Sequence, residues 1–66
     1  MIIAAKYDLQ FLDGKEVSKN TRGLLLMHGS KSALYKAATD LNDGIIAVWF
    51  PDVGEKLVTE EEVYTL

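Results

Sequence analysis

From Asp43 to Leu66 the chain reads DGIIAVWFPDVGEKLVTEEEVYTL, an order of residues that commits this third of the molecule to a β-hairpin. Ile46, Val48 and Phe50 alternate with Ala47 and Trp49 at a period of two, the spacing of a strand with one face buried. Pro51-Asp52-Val53-Gly54 supplies turn chemistry, and Leu57-Val58 begins the returning strand. The same alternation places Trp49 on the face opposite Ile46, Val48 and Phe50. A tryptophan outside the core is the first candidate for contact with another molecule.

The N-terminal part predicts a second hairpin. Ile3, Ala5, Tyr7, Leu9 and Phe11 are apolar while Lys6, Asp8 and Gln10 between them are polar, so residues 3–11 read as one half-buried strand. Asp13-Gly14 is a short hairpin turn, because glycine takes positive φ at little cost, and residues 15–19 return antiparallel. Laid on the later hairpin, Tyr7-Asp8-Leu9-Gln10-Phe11-Leu12-Asp13-Gly14 matches residues 46–54 with Val53 as a one-residue insertion. Polar Gln10 then corresponds to Trp49, which again puts the indole outside. Between the hairpins, Leu24-Leu25-Leu26-Met27 is a continuous apolar run, expected of a strand buried on both faces or of one that meets another subunit.

Residues 30–42 support two readings. Ser30 or Ser32 can cap a helix whose Leu34, Ala37, Ala38 and Leu41 recur at i, i+3, i+4 and i+7, with Asn42-Asp43-Gly44 as its stop. The other reading is a strand from Ala33 to Leu41 with Tyr35, Ala37 and Thr39 on one face. The helix makes the chain an α+β domain of ββαββ order with a helix at about 30–42; the strand makes it mainly β.

Four separated signals bear on that choice: Leu34-Tyr35-Lys36-Ala37, then Asp43-Gly44, then Val48-Trp49-Phe50-Pro51-Asp52-Val53-Gly54-Glu55, then Glu61-Glu62-Val63. Together they resemble the Tudor-like barrels of the wider Src-homology-three-like group over residues 23–66. That family shows an aromatic-lysine-alanine strand, a strand ending in phenylalanine-x-aspartate-x-glycine and a short acidic turn before the last strand. The resemblance implies a small antiparallel barrel of five to six strands and favours the strand reading of residues 33–41. It implies no methyl-lysine or methyl-arginine reading, because the positions of the family's aromatic cage hold Leu34 and Val53 here. Tyr35 and Phe50 match the pattern on its core face.

Charge divides the chain. Residues 1–39 carry six lysines and arginines against three carboxylates, whereas residues 40–66 carry seven carboxylates against Lys56. The acidic hairpin with Trp49, Asp52 and Glu55, joined by Tyr35, is the expected partner-binding surface of a protein-interaction module, an adaptor or a small inhibitor that docks on lysines or arginines of a target. The alternative is a nucleic-acid-binding barrel in which Lys15, Lys19, Arg22, Lys31 and Lys36 neutralise phosphates and Tyr35 stacks on a base.

Catalytic constellations are thin, and the chain is read as a non-enzymatic single domain. His28 is the only histidine and there is no cysteine, so a thiolate or two-histidine metal site has no ligands. Gly29-Ser30-Lys31-Ser32 lacks the upstream glycine of a phosphate loop. Glu60-Glu61-Glu62 lacks the alternating ligand spacing of a calcium loop and reads as a solvated turn. No metal or cofactor is expected. Absence of cysteine fits an intracellular, reducing setting. No apolar run approaches the roughly 20 residues that span a bilayer. At 66 residues one core rarely supplies more than about 3–5 kcal/mol, so association with another copy is compatible with the size.

Overall fold

In the computed structural model the residues described are 1–26, 36–38, 40 and 44–66. The hairpin of the C-terminal third is present as β5 (Ile45–Phe50) and β6 (Gly54–Thr59), paired antiparallel from Ile45↔Thr59 to Phe50↔Gly54. The return strand begins three residues earlier than the Leu57 expected from sequence. Its turn depends on left-handed backbone: Asp52 has φ 69° and Gly54 φ 83°, conformations that aspartate tolerates and glycine adopts freely.

Five strands form one antiparallel sheet in the order β6-β5-β4-β1-β7, where β1 is Ile2–Ala5, β4 is Arg22–Leu25 and β7 is Val63–Thr65. The first strand therefore lies between β4 and the last strand, in the registers Ile3↔Gly23 and Ala5↔Val63. A separate two-stranded unit, β2 (Leu9–Gln10) with β3 (Glu16–Val17), folds over the core. The described residues are mainly β and their pairing is antiparallel throughout, as expected. Within them β6 and β7 are the sheet's two edges and do not pair with each other.

The core comprises Ile3, Ala5, Leu9, Val17, Val48, Phe50, Val58 and Val63, with Phe11, Leu25, Ile46 and Val53 packed against it. Phe50 is its largest fully buried side chain. Gly23 on the neighbouring strand leaves room for β5: a Cβ built there would meet the Trp49 carbonyl oxygen first and stand 2.7 Å from Phe50 Cδ1. Glycine in β4 is thus a packing requirement of the β5 backbone and of the aromatic beside it.

Three expectations need correction. Residues 3–11 are not one strand: β1 stops at Ala5, the chain bends at residues 6–7, and Tyr7 is 56% exposed rather than inward. The bend is held by Lys6 N–H donating to Glu62 O (2.8 Å) and Asn20 N–H donating to Ala5 O (2.7 Å), which end β1 and turn β2 onto the core. A period of two carries no information about which face is kept once a strand is interrupted. Secondly, the run Leu24-Leu25-Leu26 is not buried on both faces; Leu24 is exposed and Leu25 and Leu26 are half-buried. Thirdly, residues 36–38 and 40 are α-helical, which replaces the strand reading at those positions. There Ala38 is buried and Ala37 half-buried while Lys36 and Asp40 are exposed, the sidedness of the predicted helical stripe. Leu34, Tyr35 and Leu41 lie outside the described residues, as does His28.

Candidate functional site

Register places the candidate residues. Trp49 is the direct cross-strand partner of Glu55 on β6 and of Leu24 on β4. Leu24 is in turn opposite Ile2 on β1. Leu66 follows β7 and donates its N–H to Ile2 O (3.1 Å), which extends the line by one more position. Directly opposed residues share a face. Glu55, Trp49, Leu24, Ile2 and Leu66 therefore form one transverse row on the face turned away from the core. Its four apolar members are all open to solvent: Trp49 39%, Leu24 45%, Ile2 49% and Leu66 59% exposed.

The neighbouring row is made differently. Ala4 lies between Arg22 and Tyr64 as cross-strand partner of both. The Tyr64 hydroxyl donates to Asn20 Oδ1 (2.9 Å), a residue beyond Arg22 along the chain, so the phenol reaches across the outer face over Ala4. Ala4 is buried in consequence although it belongs to the outer face. On the other side of the Trp49 row, Ala47 is buried and its partner Leu57 half-buried. The outer face thus has a closed margin on either side of an exposed apolar line.

Of the predicted partner-binding residues, the structure brings Trp49 and Glu55 side by side and sets exposed Asp52 at the tip of the same hairpin. Tyr35 lies outside the described residues. Leu24, Ile2, Tyr64 and Leu66 adjoin them; sequence reasoning named Leu24 only within a run that is buried or meets another subunit, and missed Ile2, Tyr64 and Leu66. The signal for Leu24 was the strand alternation hidden inside a run of leucines. For Ile2 and Leu66 it lay in the pairing of the first and last strands, which only the topology reveals.

The basic residues are not gathered on one element. Lys15 is exposed in the β2–β3 turn, Lys19 precedes β4, Arg22 opens β4 on the outer face, Lys36 is helical and exposed, and Lys31 lies outside the described residues. A carboxylate sits at the base of two of them: Lys15 N–H donates to Asp13 Oδ1 (3.0 Å) and Lys19 N–H to Asp8 Oδ1 (2.7 Å).

Lys56 faces the core side, opposite Val48, and its ammonium emerges at the first hairpin. There it lies 2.6 Å from Asp13 Oδ2 and 5.5 Å from the centroid of the Phe11 ring. The Lys56 hydrogen bond, with a second from Lys15 N–H, holds the Asp13 carboxyl below its ordinary value. The triple glutamate is a single 3₁₀ turn, Glu60–Glu62, in which Glu62 Oε1 accepts from Thr59 N–H (2.8 Å) and from Thr59 Oγ1 (3.2 Å). This carboxylate closes the turn, a structural task beyond the solvated loop expected from its charge.

Among the described residues, cavities flank these elements. One of about 310 Å³ is bordered by Asp8, Gln10, Glu16, Val17 and Ser18, and another, of about 380 Å³, by Ile3, Leu25, Ile46, Glu60, Val63, Tyr64 and Thr65. Among the described residues no three His, Asp or Glu side chains are grouped to hold a metal ion. Among them also, no helix is long and apolar enough to cross a membrane. Comparison with protein-family models, with curated proteins and with solved structures found no match to this chain.

Proposed function

We propose that this chain is a non-enzymatic protein-interaction module that docks through the outer face of its sheet, with Trp49 as anchor and Asp52 and Glu55 as its acidic border. The observation that carries the reading is the placement of Trp49. A large aromatic stands partly exposed beside the turn of a hairpin, flanked by Leu24 on one side and Glu55 on the other, on the face turned away from Val48 and Phe50. Tryptophan surrounded by apolar neighbours and a polar rim is the residue most often found to dominate an interface.

The Tudor-like form of that module is supported by two of the motif elements. β5 ends at Phe50 and turns through Asp52 to Gly54, and a short acidic turn precedes the last strand. The helical state of residues 36 and 37 departs from the aromatic-lysine-alanine strand of that group. An intracellular setting, where cysteine-free surfaces are unexceptional, is part of the same proposal.

The test is capture of partners from source-cell extract on immobilised wild-type and Trp49→Ala protein, with circular dichroism of both. The expected result is a protein retained by the wild type and lost by an equally folded variant. Equal retention by both removes Trp49 as the anchor.

A further inference from the structure

Resting on the reading of the outer face as a docking surface, we infer that its occupant is a second copy of this chain, packed face to face about a two-fold axis near Leu24. Three observations favour a copy over an unrelated partner. The first is shape. The exposed residues belong to adjacent strands of one sheet, which gives a row about 19 Å long at the usual strand spacing, not a groove. A sheet face of this kind is complemented by another sheet face, as in sandwich packing.

The second is area. Ile2, Leu24, Trp49, Tyr64 and Leu66, each more than one-third exposed, together expose roughly 500 Å², most of it apolar, within the range of the largest patch on an ordinary monomer. Two such faces with their polar margins bury roughly 1,200 Å², the threshold of a stable, specific interface. The third is charge. The margin carries Arg22 on β4 against Glu55 on β6 and Asp52 in the adjoining turn, so both signs are present. A surface bordered by both signs is complementary to itself under a two-fold rotation, whereas a margin of one sign repels its copy. Leu24, third of the five positions in the row, falls nearest the axis and meets its own equivalent.

Sedimentation equilibrium from about 5 to 500 μM tests this, since an interface near the lower size limit dissociates in the micromolar range. The mass is expected to rise from 7.3 kDa towards twice that value. Leu24→Arg holds the protein at the monomer mass with an unchanged circular dichroism spectrum, and Ile2→Arg serves if the first variant does not fold. Because the chain has no cysteine, Leu24→Cys should form an intermolecular disulfide under mild oxidation while Glu61→Cys, on the exposed 3₁₀ turn, does not. A wild type that stays monomeric throughout overturns the inference, as does a dimer indifferent to Leu24→Arg and Ile2→Arg. Trp49-dependent capture of a different protein by a monomeric wild type also overturns it, and leaves the interaction reading intact.

Discussion

Lys56 Nζ and Asp13 Oδ2 are 43 residues apart in the chain and 2.6 Å apart in space, and they join the tip of the first hairpin to the middle of β6. The lysine stem runs from the core face of the sheet and its charge surfaces beside the Phe11 ring. Such a side chain contributes through its methylenes as well as its charge. Asp13 titrates below its ordinary value, so it binds its proton more weakly in the folded than in the unfolded state. The stabilisation is fully present above the unfolded pKa of about 3.8 and is lost as pH falls through the lower folded value. Urea midpoints of wild type and Asp13→Asn should differ at pH 6 and converge as the pH is taken below about 4. A gap that stays constant to pH 2 contradicts this.

Gly23→Ala tests the packing around Phe50. The added methyl meets the ring and the β5 backbone, and neither end of that contact is a flexible tip. A loss of about 1–3 kcal/mol is expected in urea unfolding. Phe50→Leu combined with Gly23→Ala should recover part of it, because the double variant vacates the volume the methyl needs. Strict additivity of the two losses would show that the ring is not the obstacle.

Glu62→Ala should cost about 0.5–2 kcal/mol, as loss of a helix-type cap does, and Glu62→Gln should cost less because an oxygen acceptor remains for Thr59 N–H. Glu61→Ala, on the exposed side of the same turn, should fall within about 0.5 kcal/mol of wild type. Equal effects at 61 and 62 would make the turn a matter of charge alone.

Trp49→Ala separates the outer face from the core. With Val48 and Phe50 carrying the buried side of β5, the substitution should leave the protein folded and cost no more than about 2 kcal/mol, the share of the indole that is covered. Partner affinity, measured by titration calorimetry, should drop at least about 30-fold if the indole is an interface anchor. Loss of the folded state would instead assign Trp49 to the core.

Short single- and double-stranded oligonucleotides should show no binding to this protein even at about 50 mM salt. Lys15 and Lys19 each have a carboxylate hydrogen-bonded at their backbone, and Arg22 stands on a face bordered by Glu55. Affinity that falls steeply with added salt would revive the phosphate-binding reading.

The later hairpin was legible in the sequence because its alternation is unbroken from Ile46 to Phe50 and its turn chemistry is explicit. Trp49 was placed correctly for that reason. Tyr7 was not, since the alternation runs on past Ala5 while hydrogen bonds to Glu62 and Asn20 bend the chain there. Those partners are distant in sequence and leave no periodic trace. Helical spacing at Ala37 and Ala38 was equally visible, but a motif resemblance pulled the segment towards strand against its own propensity. The outer row was the least legible feature, because its members come from the two ends and the middle of the chain and meet only through the order β6-β5-β4-β1-β7.

That strand order also bears on the face-to-face association proposed above. Among the described residues one edge of the sheet, β7, offers three residues for pairing, and the other, β6, carries Glu55 and Lys56. Short or charged edges are poor templates for a further strand. On that proposal, contact through the outer face would consume the apolar surface that drives it and present no fresh copy to the next molecule. Assembly by that route would end in a closed particle, and raising the concentration would fill it without seeding a fibre.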